Sequence, residues 1–227
     1  DPPGVAATRH AAHARRGGRD GEAVDVRMCG DPGHAGDPRI AGDPRISEAR
    51  GLEGVRTREP GGTSLGRQLR ELLLHGDESI DPRAEALLYA ADRAQHVAQV
   101  VRPALERGAI VVQDRYIDSS LAYQGAGRVL EVDDVRRLSS WASGGLQPDL
   151  TVLLDVSPEL AVERRANAGG VADRLEREAN DFHTAVRLGF LSLAAAEPGR
   201  FLTLNAALPV AELHAHIVQR AAAVLGD

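Results

Sequence analysis

A short β-branched run, Ile110-Val111-Val112-Gln113, lies behind Gly108-Ala109 and ends in Asp114-Arg115. A strand so uniformly apolar reads as buried on both faces, which predicts a parallel sheet covered by helices. In open α/β sheets ligands bind just outside the carboxyl ends of strands. Asp114 and Arg115 therefore stand where chemistry takes place. Arg115 offers a planar fork of donors suited to a phosphate. Asp114 can hold a Mg²⁺-bound water or orient the arginine. A structural Asp–Arg pair that caps the strand fits the same two residues. The polar, hydroxyl-rich segment from Tyr116 to Gly125 can turn into a helix.

The rest of the chain alternates strands with helices. Leu150–Val156 is the clearest buried strand, and Phe201–Asn205 is a short final one. Val55-Arg56-Thr57 is a weak strand beside Gly54, which weakens it further. Thr63 or Ser64 caps a helix in which Leu65, Leu69, Leu72 and Leu73 recur at helical spacing. Asp81-Pro82 opens a longer helix, predicted to run to about Gly108. Its buried face is read as Leu87, Leu88, Ala91, Val97, Val100, Val101 and Leu105. Tyr89 and Arg93 are one turn apart and share a side. The plain reading makes Tyr89 core and Arg93 a solvated charge. A further helix runs from Glu131 to about Gly144-Gly145. Pro158 starts another, which ends in the bend Arg164-Arg165-Ala166-Asn167-Ala168-Gly169-Gly170, followed by Asp173-Arg174-Leu175-Glu176. That bend suits a loop that closes over a substrate, and equally an ordinary solvated turn. Helices over 181–197 and 210–225 complete the chain. The alternation favours a parallel sheet covered on both faces.

With 227 residues and 43% hydrophobic content, the length suits one α/β domain with a real core. A net charge of -6 gives no support to a broad nucleic-acid surface. The single cysteine, Cys29, excludes an internal disulfide framework and suits a reducing cytoplasm. No apolar run is long enough to span a bilayer and no signal peptide is visible, so neither nucleic acid nor membrane is expected as a partner. All 27 basic residues are arginines. The chain begins at Asp1 rather than Met and is read as a fragment or a processed product. Residues 1–46 have a different texture, rich in Gly, Pro, Asp, Arg and His, and are expected to be irregular or disordered. Ala35-Gly36-Asp37-Pro38-Arg39-Ile40 is repeated at once as Ala41-Gly42-Asp43-Pro44-Arg45-Ile46. Only Ala23–Cys29 has strand character in this part. His10, His13 and His34 are read as solvated loop residues rather than metal ligands.

Four segments occur in a telling order. They are Thr57-Arg58-Glu59-Pro60-Gly61-Gly62-Thr63; Ala90-Ala91-Asp92-Arg93-Ala94-Gln95-His96; Asp114-Arg115-Tyr116 with Ser119-Ser120-Leu121-Ala122-Tyr123-Gln124-Gly125; and Asp173-Arg174-Leu175-Glu176. In these segments, and over roughly residues 50 to 225, the sequence resembles bacterial thymidylate kinase; the ordered set carries the likeness. The resemblance implies a three-layer α/β fold of the P-loop nucleoside-monophosphate-kinase type, with a five-stranded parallel sheet. It implies a domain over 47–227 with a mobile lid near 164–178. The implied activity is phosphoryl transfer from ATP, with Mg²⁺, to dTMP, giving dTDP, in a cytoplasmic homodimer. By the same likeness Tyr89 stacks on thymine and Arg93 reaches the base. Arg115 grips the dTMP phosphate, and Asp114 lies near Mg²⁺ and the phosphates. Ser120, Tyr123 and Gln124 line the thymine and deoxyribose, with the bulk of Tyr123 excluding a 2′-hydroxyl. Arg58, Glu59 and Pro60 form a loop beside the phosphate. Arg165 and Arg174 are the lid arginines expected to act on the transferred group, with Arg164 beside them.

The family opens with a central strand and a phosphate loop of the form G-x-x-x-x-G-K-[ST], whose N–H groups and lysine hold the ATP phosphates. No lysine exists in this chain. The nearest candidate, Gly30-Asp31-Pro32-Gly33-His34-Ala35-Gly36-Asp37, has its glycines off by one and an acid where a cation is needed. The first strand and phosphate loop are therefore expected to be degraded or missing, and no ATP-binding residue is assigned. The change of texture, the duplication and the absent Met are read as a damaged reading frame upstream of about residue 47; a single clean frame on resequencing would refute that. The chain is expected to be an impaired kinase or, in a different class, a non-catalytic nucleotide-binding relic that pairs with an intact kinase.

Overall fold

The computed structural model describes residues 23–29, 53–76, 79–128, 130–157, 159–161, 163–164 and 173–226, with the backbone alone for 23–29. Five strands form one parallel sheet: β1 (Ala23–Cys29), β2 (Gly54–Arg58), β3 (Ile110–Asp114), β4 (Leu150–Asp155) and β5 (Phe201–Asn205), in the order β2-β3-β1-β4-β5. The helices are α1 (Ser64–His75), α2 (Pro82–His96), α3 (Arg102–Glu106), α4 (Ile117–Ser120), α5 (Val132–Ser143), α6 (Asn180–Ala196) and α7 (Val210–Val224). The phosphate-loop candidate at 30–37, the three N-terminal histidines and the lid tip lie outside the described residues.

The central place in the sheet is filled. β1 pairs with β3 on one side and β4 on the other, with Val24 in register with both Val112 and Leu150. The first strand is thus not missing. β3 and β4 are buried along their length, and without a strand between them their inner backbone groups would lack partners. The charged positions of β1 do not prevent pairing. Asp25 falls in the row of Gln113 and Thr151, the polar positions of its neighbours.

Alternation along β4 divides the core between the two faces of the sheet. Leu150, Val152 and Leu154 join Ile110 and Val112 against Leu213 and Ile217 of α7. Leu153 faces the other way, toward Phe182, Val186 and Phe190 of α6. The edge strands β2 and β5 are partly exposed along their length, as the weak pattern at Val55–Thr57 predicts.

Two expectations about the helices are corrected. The long helix does not run unbroken: α2 passes into a wider π turn at Val97–Val101, where the Arg102 N–H bonds to the Val97 carbonyl, and then into α3. Pro103 has no N–H to continue the regular ladder. The buried face of α2 is also not the apolar one. Leu87 is 58% exposed, while Glu85, Asp92, Arg93 and His96 are buried beside Ala86 and Ala90. In α1, Leu73 and Leu74 are buried, but Leu65 and Leu72 face out. The caps match the sequence reading: Thr63 accepts from the Gly66 N–H (2.9 Å) and Asp81 from the Arg83 N–H (2.9 Å). Phe190→Ala is expected to cost about 3–5 kcal/mol in denaturant unfolding, whereas Leu87→Ala, on the outer face of α2, should stay within about 0.5 kcal/mol.

Candidate nucleotide-binding cleft

Glu85, Tyr89, Asp92, Arg93 and His96 follow one another at the spacing of a single helical stripe. On α2 this stripe is turned inward and is polar, so each charge needs a partner. The turn after β2 supplies most of them. Arg93 donates from Nε to Glu59 Oε2 (3.0 Å), from Nη1 to Ser139 Oγ (3.0 Å), and from Nη2 to the Tyr116 carbonyl and Ser120 Oγ (both 3.1 Å). Glu59 Oε1 lies 2.9 Å from His96 Nδ1, and His96 Nε2 meets the Thr57 hydroxyl. A carboxylate oxygen accepts, so His96 Nδ1 carries the proton. Asp92 Oδ1 accepts from the Gly61 N–H (3.2 Å). The turn is pressed hard onto the helix. A Cβ at Gly62 would come within 2.4 Å of the His96 ring, and one at Gly66 within 2.2 Å of Asp92 Oδ1.

These elements enclose a cleft of about 570 Å³, including its open mouth. Glu59 and Pro60 form one rim, and Tyr89 and Arg93 come from α2. Arg115, Tyr116, Ser120, Tyr123 and Gln124 come from the segment after β3, at the carboxyl end of that strand. Arg115 has φ 66°, a left-handed conformation that few residues other than glycine adopt. The turn sends its guanidinium over the Tyr123 ring, 5.1 Å from the centroid. Tyr123 is itself held edge-on by Phe182 and Phe190. From Leu121 to Gly127 the backbone forms a second π turn, a distortion that often accompanies functional sites.

The structure brings Glu59, Pro60, Tyr89, Arg93, Arg115, Ser120, Tyr123 and Gln124 to this one cleft. Arg93 is no solvated charge, at 2% exposure. Its hydrogen bonds to Glu59, Ser139, Tyr116 and Ser120 make it the brace of the cleft wall as well as part of its lining. Arg58 and Asp114, in register at the ends of β2 and β3, are not among the lining residues. Arg174 is likewise not in the lining. It donates from Nε to the Leu73 carbonyl (2.7 Å) and from Nη2 to Glu85 (2.6 Å), the geometry of a tether. Arg164 donates to the Ala206 carbonyl (2.8 Å), and Arg165 lies outside the described residues.

Sequence reading passed over Arg70 and Leu74 and gave no role to Ser119, Asp173 and Leu175 within their segments, yet all of these line the cleft. Arg70 had a signal: it shares the inner stripe of α1 with Gly66, Leu73 and Leu74. It donates to the Pro60 carbonyl (3.2 Å). Burial first, then the like charges of Arg58 and Arg115, hold its guanidinium below the usual arginine value. Cations that crowd one another at a cleft make a place for an anion. Burial also pushes the Tyr89 hydroxyl up, so the ring meets the cleft uncharged. Among the described residues no cluster of three or more His, Cys, Asp or Glu could hold a metal. A Mg²⁺ ion needs only one or two protein carboxylates when phosphates and water supply the rest; Asp114, at the end of β3 and outside the cleft lining, carries one carboxylate.

A central parallel sheet with an arginine-bearing, tyrosine-walled cleft at the end of β3 defines an α/β protein whose ligand site lies at the carboxyl end of a strand. Comparison with known proteins narrows the class. Residues 45–217 match the family model for thymidylate kinase. The thymidylate kinase of Leifsonia xyli is 61% identical over 163 residues, covering 72% of this chain and 77% of the relative. That of Clavibacter michiganensis is 59% identical over 178 residues, 78% and 84% of the two chains. That of Deinococcus radiodurans is 55% identical over 161 residues, 71% and 78%. The chain belongs to the thymidylate kinase family.

Asp92 offers a test of the braced turn. Burial first, and then neighbouring Glu59, push its carboxyl up to about 6, against the opposing Gly61 N–H bond. A carboxyl raised above its unfolded value of 3.8 carries no penalty while protonated in both states. It costs stability progressively as pH rises from about 4 to about 6. Asp92→Asn keeps an oxygen for Gly61 and removes the charge. The variant should be more stable than the parent at pH 7 by about 1–3 kcal/mol, with the gap closing toward pH 4 in denaturant titrations.

Proposed function

We propose that this chain binds dTMP in the cleft and transfers to it the γ-phosphoryl group of ATP, giving dTDP. The observation that carries the reading is the placing of Arg115 and Arg70 in the same cleft as Tyr89, Tyr123 and Gln124. The two guanidinium groups suit a phosphate, the aromatic ring suits a flat base, and the amide suits the base edge. Arg93, bound to Glu59 and Ser120, holds the wall against which the base rests. The bulk of Tyr123 disfavours a 2′-hydroxyl. Catalysis of this kind is chiefly positioning and charge neutralisation. When bound, Mg²⁺ neutralises phosphate charge, and Asp114 would hold it through water. Arg165 remains the lid residue assigned to the transferred group. A cytoplasmic location is proposed with it, because the substrates belong to the nucleotide pool.

Turnover by this chain is proposed to be low. The family match begins at residue 45, downstream of β1 and of the region where a phosphate loop would follow it. No lysine is present to neutralise the ATP phosphates. Loss of one such charge-stabilising group costs about a hundredfold or more in rate. A non-catalytic relic that binds dTMP and pairs with an intact kinase is the second reading, favoured by the same feature. Calorimetry and an ATP-dependent assay separate the two: slow dTDP formation supports the enzyme, and dTMP binding with no ATP binding supports the relic. A rate comparable with that of the relatives would overturn the proposed impairment.

The cleft assignment has its own test. Arg115→Ala should weaken dTMP binding about 10- to 100-fold, the worth of a hydrogen bond to a charged group, and leave thymidine, which has no phosphate, nearly unaffected. An equal effect on both ligands would remove Arg115 from the phosphate. A homodimer is proposed as the assembled form. Trp141 on α5 is 82% exposed, and Leu65, Leu72 and Leu87 are exposed on the neighbouring helices α1 and α2. Trp141→Glu is expected to shift the chain to monomer in sedimentation experiments.

A further inference from the structure

Glu85 is fully buried, at 0% exposure, one turn before Tyr89 on α2, and does not line the cleft. Its carboxylate is bound from three sides. Gln124 donates from Nε2 to Oε1 (2.9 Å). Arg128 donates from Nε to Oε1 (3.3 Å) and from Nη2 to Oε2 (3.1 Å). Arg174 donates from Nη2 to Oε2 (2.6 Å). Burial by itself would push Glu85 up, but hydrogen bonds from Arg128, Gln124 and Arg174 outweigh it and hold the carboxyl below its usual value. Its oxygens therefore accept and do not donate.

This has a consequence for Gln124. A glutamine amide has one face that donates and one that accepts, and the two are nearly the same shape. Facing an acceptor-only carboxylate, it must turn its nitrogen toward Glu85. Its oxygen is then the acceptor left for the cleft that Gln124 lines, and among the described residues no donor is assigned to that oxygen. We propose that Glu85 is a positioning residue that fixes the orientation of the Gln124 amide and thereby selects a base presenting a ring N–H. This rests on the reading of the cleft as a dTMP site. Thymine presents an N–H at its N3 position. Cytosine presents a bare acceptor there, which would face the Gln124 oxygen with no proton between them. A buried acceptor left without a donor is costly, so the device rejects the wrong pyrimidine without Glu85 touching it.

The test compares the dissociation constants of dTMP and dCMP for the full chain by calorimetry. Glu85→Gln supplies a side chain that can donate as well as accept, which frees the Gln124 amide to turn over. The preference for dTMP over dCMP should fall about tenfold or more in this variant. Because both ligands report on the same folded fraction, their ratio is unaffected by partial unfolding. Arg128→Met keeps the Glu85 carboxylate and should keep the preference within about twofold. If Arg128→Met lowers it as much as Glu85→Gln does, general packing sets the preference and the proposal is overturned. A parent that prefers dTMP, with a Glu85→Gln variant that prefers it equally, overturns the role of Glu85 alone. A parent with no preference overturns the dTMP reading of the cleft and this inference with it. Where Glu85→Gln does not fold, the parent chain still decides. The Gln124 side-chain N–H protons should be protected from solvent exchange in NMR spectra, and rapid exchange would show that the nitrogen does not face Glu85.

Discussion

The ion pair between Arg93 and Glu59 holds the cleft together. Both side chains are about 3% exposed, so neither charge could stand alone without a large cost. Glu59 lies in the turn after β2 and Arg93 lies within α2, and the pair fixes one against the other. The remaining donors of Arg93 then reach Ser139 on α5, Ser120 on α4 and the Tyr116 backbone. A single guanidinium thus ties four separate segments to one point. His96 and Asp92 add two more ties from the same helix to the same turn. The turn after β2, the inner stripe of α2 and the short helix α4 are thereby held in fixed relation at the cleft.

The strands were the most legible part of the chain. β3 and β4 are runs of Val, Leu and Ile that no solvent-facing element would carry, and both fall where expected. The inner face of α2 was not legible from hydropathy. A search for apolar periodicity passes over Glu85, Asp92, Arg93 and His96, because charged side chains are ordinarily outside. Their burial depends on partners more than twenty residues away in sequence, and spacing along one helix cannot reveal those. Spacing paired Tyr89 with Arg93, but only a family likeness gave the two a place at a binding site. Arg70 and Glu85 had no such pointer, yet each sits on a stripe shared with buried neighbours. A charge that falls in step with the core is the signal that was available.

The arginines also sort by what they touch. Arg174, given a part in the chemistry by the family likeness, is bound at both Nε and Nη2 to protein acceptors. Arg70, which attracted no attention, stands in the cleft under the repulsion of its own kind. In a chain with no lysine, the same residue type serves as brace, tether and anion holder. Residue type therefore separates none of these roles, and only the count of satisfied donors does.

The middle of the sheet carries a last consequence. β1 lies ahead of the residues that match the family, yet it lies between the two most buried strands. A ladder of N–H and carbonyl groups is indifferent to which side chains are attached. A peptide of the right extension can therefore fill the central slot whatever side chains it carries. The sheet is complete at its centre although the strand that completes it falls outside the stretch matched by the family.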